Sequence, residues 1–425
     1  MRQTLLLDPV RLLISCDREP NDGGAALIQD GVLVAFDDEA REQASTLGVA
    51  PDPRPRQILA PCLVDPHSVL DRPFSGPAET LLSLLHATAR AGYGQVALLP
   101  RANSWRDRVE RLHGFAEEDS DVRVHLWGGF SIEGRGEQLS AHGDLLDQGA
   151  CGLAEDDACP PIALLQRALV LGEMGEAPVL LAPRDPGIQG DGLVREGVAT
   201  LRAGWTPDPV ASETLPLGQL LDLQRQFPQR RLRLMNLSTA AGVSQLAAAS
   251  VRPQASVCWW HLVSDHSRLS PTEMGWSVTP SLGAPEDREA LIQALGAGVI
   301  QAVAVHAVPI DEEDCLLPPD QRKRGLAGHQ LVLPALWQTL VLERGWTIRQ
   351  LWEVLSFGPS RLLGQPEERL EAGSRRWLLF DPEHSWRMDR RDPDQPRAAN
   401  QPWQGLMLQG RVTSSGLRSP GNRCD

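Results

Sequence analysis

Lysine is almost absent from this chain: Lys323 is the only one among 425 residues. Chemistry that depends on a lysine amine therefore has a single candidate. It sits in the run Arg322-Lys323-Arg324, which reads as a solvated loop before it reads as an anion site. Cysteine is sparse as well, with seven residues at 16, 62, 151, 159, 258, 315 and 424, odd in number and without a Cys-x-x-Cys pair. That pattern excludes a disulfide framework and fits reduced thiols with no shared role. Long apolar runs are missing too; stretches such as Leu81–Leu85 and Ala297–Pro309 are too short or too interrupted to cross a bilayer. The opening residues Met1–Asp8 lack the apolar stretch and small-residue cleavage site of a secretory leader. A cytoplasmic protein without membrane contact is expected. The net charge of −14 lacks the clustered cations that phosphate contacts require, so no nucleic-acid partner is expected. Neither a G-x-G-x-x-G nor a Walker pattern occurs.

What the chain does have is regular alternation. Eight short β-rich runs succeed one another: Cys62–Asp65, Gln95–Leu99, Val122–Trp127, Ala150–Leu153, Pro178–Leu181, Arg231–Met235, Ala255–Trp259 and Gln301–Val305. Between them lie segments with helical spacing, among them Glu79–Ala91, Ile162–Met174, Leu217–Gln226 and Pro285–Leu295. Eight strands alternating with helices, several of them continuous apolar runs, predict an α/β fold of the (β/α)₈ TIM-barrel type. The ends read differently. Ala25–Phe36 is a hairpin turning at Asp30-Gly31, and Arg376–Asp381 and Gly405–Val412 are again short strands. A small β-sandwich module built from both chain ends is predicted, with residues 1–58 and 369–425 contributing to it and 59–368 forming the barrel. Pro51–Pro55 and Arg387–Pro402 read as linkers or long loops, and Ser414–Asp425 as a frayed tail.

Several phrases, in order along the chain, resemble one family. Ile58-Leu59-Ala60-Pro61-Cys62-Leu63-Val64-Asp65-Pro66-His67 is similar to the first barrel strand of the amidohydrolase superfamily, where it leads into His-x-His. Ala91–Val96 and Leu99-Pro100 resemble the Gly-Gly-Phe-Thr and Met-Pro-Asn-Thr phrases of its dihydroorotase branch, with Arg101 on the Asn. Leu237–Ala240, Pro285–Leu291, Pro359–Gly364, Leu378–Glu383 and Asn400–Gly405 match further phrases of that branch. From about residue 58 to 410 the chain thus resembles the dihydroorotases.

The resemblance implies a site at the C-terminal mouth of the barrel where divalent metal polarises a cyclic amide and activates water. Its ligands would be a His-x-His after strand one, a carboxylate or carbamylated lysine after strand four, one His each after strands five and six, and an Asp after strand eight. The chain departs from that set. His67-Ser68-Val69-Leu70-Asp71-Arg72 keeps the first His, puts Val69 at the second, and puts Asp71 where a substrate-binding Arg belongs, with Arg72 adjacent. Strand four leads into Glu155-Asp156-Asp157, so an acidic ligand is possible; Lys323 is far away in the chain. Ala182 and Asn236 stand at the third and fourth His, and His306 at the Asp that shuttles protons. Valine and alanine offer no lone pair, and a neutral amide oxygen is a poor zinc ligand.

The remaining metal candidates are His67, Glu155, Asp156 and His306. Two readings follow. In the first, the chain resembles the noncatalytic members of the dihydroorotase branch. It would then have a pyrimidine-biosynthesis role as a scaffold for aspartate carbamoyltransferase, as an oligomer and without a cofactor. In the second, those four residues hold one zinc ion and the chain is an active dihydroorotase or related cyclic amidohydrolase, although His306 at the shuttle position leaves no evident general base. His261 and the tryptophans of strand seven are expected to pack in the core. Ser238 lacks a G-x-S-x-G turn, and Asp265-His266-Ser267 are neighbours in sequence, so neither is expected to form a catalytic triad.

Overall fold

The computed structural model describes residues 4–115, 119–269, 277–318, 321–389 and 396–419. The chain opens with β1 (Thr4–Leu12), β2 (Asn21–Gln29), β3 (Val32–Phe36) and β4 (Pro51–Pro61). The Asp30-Gly31 turn joins β2 to β3 with both residues at positive φ, 51° and 79°, as a tight antiparallel hairpin requires. The barrel strands follow: β5 (Leu63–Ser68), β6 (Tyr93–Leu98), β7 (Arg123–Gly129), β8 (Gly152–Ala154) and β9 (Pro178–Leu181). After a two-residue parallel pair, β10 (Val194–Arg195) and β11 (Pro207–Asp208), come β12 (Arg231–Leu234), β13 (Gln254–Cys258) and β14 (Ala302–Ala304). The chain returns through β15 (Trp377–Arg387) and β16 (Met407–Ser415).

Eight parallel strands form one sheet in the order β14-β13-β12-β9-β8-β7-β6-β5. This is the predicted barrel, with each of the eight expected runs at its predicted place. The strands are buried almost throughout because helices cover the outside and side chains fill the inside. Local signals set the helix ends. Thr80 caps Leu81–Arg90 by accepting from the Ser83 backbone, and Gly172 ends Ile162–Leu171 in the left-handed conformation. The helix Pro285–Gly296 starts with proline in its first turn and with Asp287 accepting from the Ala284 backbone N–H.

A second sheet of six strands, in the order β16-β15-β4-β1-β2-β3, is made from both chain ends. Two expectations are corrected here. Pro51–Pro55 is no linker but the first half of β4, which runs parallel to β1. Its prolines are tolerated because β15 pairs only with Ile58–Pro61, so the proline-bearing half is a local edge that needs no N–H on its open side. Ser414 and Ser415 are not frayed; they close β16, and Arg418 beyond them pairs with Asp121 at 3.0 Å. The rest of that expected tail, 420–425 with Cys424, lies outside the described residues, as does 390–395 of the expected Arg387–Pro402 loop. The described part of that loop is anchored. Asn400 donates to the carbonyls of Val308 and Gly325 and accepts from the Ile310 N–H at 3.0 Å. The six described cysteines are free thiols, and no helix among the described residues is long and apolar enough to cross a membrane.

The barrel closes between β5 and β14 largely through side chains. The buried Asp65 carboxylate accepts from the Val305 N–H at 3.0 Å, from the Ser68 hydroxyl at 2.5 Å and from His329 Nε2 at 3.0 Å. Ser68 in turn accepts from the Ala307 N–H at 2.8 Å, and the Val69 N–H donates to the Ala307 carbonyl at 2.7 Å. One carboxylate thus joins the first strand, the last strand and the helix His329–Leu336. Asp65→Ala orphans three buried donors and is expected to cost about 3 kcal/mol or more in urea denaturation, with Ser68→Ala costing roughly 1–2 kcal/mol. A loss below about 1 kcal/mol for the aspartate would show that the seam is not held there.

Candidate functional site

The strand ends at the mouth gather the residues singled out by sequence. His67, on β5, is fully buried, and its Nδ1 lies 3.2 Å from Nδ1 of His306, just past β14. The rings meet edge to face, 5.2 Å apart at 73°. The other ring nitrogen, Nε2, lies 2.8 Å from the hydroxyl of Ser256 on β13. Burial, reinforced by His306, pushes the His67 pKa well below the ordinary imidazole value, so the ring is neutral at pH 7. His306 Nε2 is 3.2 Å from Asp157 Oδ1, without good hydrogen-bond alignment. His306 and Asn236 are both held at positive φ, 46° and 56°, an uncommon conformation for residues other than glycine.

The three acidic residues after β8 divide. Glu155 faces Ser131, accepting from its backbone N–H at 3.0 Å and from its hydroxyl. Burial raises its pKa against those bonds. Asp156 accepts from Arg101 at 3.2 Å, and burial together with the neighbouring Asp157 raises its pKa. Asp157 is the one that reaches His306. Burial would raise its carboxyl, but His306, Arg184 and Arg101 outweigh burial and hold it well below the usual range. Of the four predicted metal candidates the fold therefore joins His67 to His306 and directs Glu155 and Asp156 to other partners.

The substituted positions are filled as the chemistry of their side chains dictates. Val69 and Ala182 belong to a buried apolar cluster with Met235, Val308 and Trp127. Asn236 is buried with neither amide atom bonded to protein; it borders a cavity of about 10 Å³, room for about one water, beside Ala182, Arg184, Arg195, Glu213 and Asp157. Among the described residues no group of three or more His, Cys, Asp or Glu side chains converges as a metal-holding set. His67 has both ring nitrogens engaged and would have to break one bond to present a lone pair. The residues at this mouth do not fit the metal that the family resemblance implies.

Ser256 and Asp157, which anchor the two ends of the histidine pair, were not singled out by sequence. A lone serine in the apolar run of β13 was the available signal, because its neighbours alternate with it across the strand. Arg195 was missed as well. It is fully buried with Asp208 at 3.2 Å, Ser212 Oγ at 2.7 Å, Ser238 Oγ at 2.9 Å and Glu213 at 3.4 Å. Glu213 also takes both the N–H and hydroxyl of Ser238 and of Thr239. The Ser238 hydroxyl is thus committed to a buried ionic network. Ser267 only closes a turn onto Asp265. His261 packs in the core with Nε2 3.1 Å from the Pro280 carbonyl, and Trp259 and Trp260 meet each other and Trp403 in edge-on and tilted ring contacts.

Burial pushes the His261 pKa down to about 4. In the unfolded chain this imidazole takes a proton near pH 6.5, so acidification favours unfolding from that point down. Between pH 7 and pH 5 the effect amounts to roughly 2 kcal/mol. His261→Gln is expected to lose less stability than wild type over that interval by about this amount, read as the difference of two denaturation series. Parallel pH dependences would refute the neutral buried imidazole.

No protein-family profile matches the chain. Individual relatives do. A Synechocystis protein described as a "Probable dihydroorotase-like protein" is 31% identical over 423 residues, covering 91% of this chain and 94% of that protein. The dihydroorotase of Thermus aquaticus is 27% identical over 426 residues, covering 96% of each. Among solved structures, the L-hydantoinase of Arthrobacter aurescens matches with a TM-score of 0.76 at 18% identity, covering 98% of this chain and 95% of that one. The D-hydantoinase of Bacillus sp. AR9 matches with a TM-score of 0.76 at 18% identity, covering 96% and 93%. The hydantoinase likeness gives the fold alone, a TIM barrel with a chain-end β module, whereas the first relative gives the family. With that identity sustained over nine-tenths of both sequences, this chain belongs to the dihydroorotase-like family.

Proposed function

We propose that this chain is a noncatalytic dihydroorotase-like protein that acts as a scaffold in pyrimidine biosynthesis, with aspartate carbamoyltransferase as its partner. The observation that carries the first half is the direct 3.2 Å contact between His67 and His306, at the strand ends where the family would place a metal and its ligands. Two imidazoles bonded to one another, one of them also bonded to Ser256, stabilise the barrel from inside instead of presenting lone pairs outward. Buried Val69 and Ala182 add only apolar surface to this mouth. Activation of water at neutral pH without such a metal would need a positioned base, and the carboxylates nearby are taken up by His306, Arg101 and Ser131.

The scaffold half rests on family resemblance: a barrel whose site has been filled still offers its outer surface, since function resides in sites and is separable from fold. The one-zinc hydrolase reading gains no support from the geometry, because His67, Glu155, Asp156 and His306 do not converge.

Two measurements test the proposal. The protein purified from its own cells is expected to hold no stoichiometric zinc and to turn over neither dihydroorotate nor carbamoyl aspartate. It is also expected to co-purify with aspartate carbamoyltransferase in fixed ratio. Stoichiometric zinc together with turnover abolished by His67→Ala would overturn the noncatalytic reading, and its isolation free of that enzyme under gentle conditions would overturn the scaffold role.

A further inference from the structure

The loops after β5 and β6 carry an exchange of charge. Asp71 stands where the family resemblance implies an arginine, and Arg101 where it implies an asparagine. The fold brings the two loops together: the Asn103 N–H donates to the Asp71 carbonyl at 2.8 Å, while the Arg106 N–H donates to the Pro100 carbonyl at 3.0 Å within the second loop. The Arg101 guanidinium is thereby set among three carboxylates, 3.5 Å from Asp71, 3.2 Å from Asp156 and 3.4 Å from Asp157. Asp157 uses its other oxygen towards His306, which meets His67. A second guanidinium, Arg184, donates through Nε to the Asp157 backbone carbonyl and through Nη1 to Gln189 at 2.6 Å.

Partly buried carboxylates crowded at one mouth repel one another unless a cation lies between them, and each costs more to leave unpaired than it would in water. In metal-dependent barrels a divalent ion supplies that charge. Here a planar group with a fixed fork of donors lies against the same strand ends, and a guanidinium suits that task because it stays charged when half-buried.

We propose that Arg101 is the resident cation of this barrel: its guanidinium takes over the charge-neutralising role of the absent metal and closes the mouth to external cations. The inference rests on the noncatalytic reading of the site, but it concerns what fills the site, and the two can fail separately. Burial opposes the charge on Arg101, yet Asp156, Asp157 and Asp71 outweigh it and hold the proton more firmly than usual.

The test is a sign change in thermal stability. Asp156→Asn in the wild-type background removes a partner of Arg101 and is expected to lower the melting temperature. The same substitution in an Arg101→Gln background removes an uncompensated carboxylate and is expected to raise it. Arg101→Lys keeps the charge and is expected to retain more stability than Arg101→Gln. Arg101→Ala opens space, so its melting temperature is expected to rise with added methylguanidinium or Zn²⁺ while wild type does not respond. If the alanine variant fails to fold, the glutamine and lysine variants still give the comparison. Asp156→Asn acting with the same sign in both backgrounds would overturn the resident-cation role. Stoichiometric zinc in the wild-type protein would overturn it as well, whereas turnover of dihydroorotate with the sign change intact would overturn the noncatalytic reading alone.

Discussion

A parallel barrel has to join its last strand to its first, and in this chain that joint is a carboxylate. Asp65 reaches from β5 to the Val305 N–H beyond β14 and to His329 on the helix that covers them, while its neighbour Ser68 takes the Ala307 N–H. The joint fixes the relative height of the two strands. His67 lies between Asp65 and Ser68, and His306 between Val305 and Ala307, so the seam places the two imidazoles face to edge at the mouth. The histidine contact is in this sense a by-product of closing the barrel.

Around that pair many polar groups find protein partners, while both amide atoms of Asn236, His306 Nε2, Asp156 Oδ1 and Arg195 Nε are left without a hydrogen bond. Glu213 binds four donors from Ser238 and Thr239 and faces Arg195; Glu155 binds Ser131; Asp156 and Asp157 face Arg101. Such networks are costly to half-satisfy, and they hold a site in one arrangement when complete. A site that must exchange water, substrate and product needs groups whose partners come from outside. Here most of those partners come from the chain itself, the arrangement on which the proposed noncatalytic role rests.

The eight strands were legible in the sequence because a barrel buried on both faces writes its strands as short apolar runs at regular intervals. The hairpin at Asp30-Gly31 was legible because two successive positive φ angles demand that dipeptide type. Pro51–Pro61 was not, since nothing local reveals that β15 leaves half of β4 unpaired. At the site, the burial of Val69 and Ala182 in apolar surroundings was legible from residue type, while their reading as replaced ligands came from the family resemblance. The choice among Glu155, Asp156 and Asp157 was not, because three adjacent acids after a strand end point in different directions and sequence does not rank them.

The sequence by itself determined the barrel and the chain-end module, and only its resemblance to the dihydroorotases implied imidazoles at Val69, Ala182 and Asn236. The barrel and the module are legible there because periodicity and residue type are written along one dimension. Only the tertiary structure decided that His67 bonds to His306 and Ser256, that Asp157 and not its neighbours meets His306, and that Arg101 sits among three aspartates. Each of those contacts joins residues more than 50 positions apart, except that of Arg101 with Asp71, which depends on the turn of two loops. Interactions of hydrogen-bond length fall off within an ångström or so, and residue spacing along the chain holds no distance of that precision.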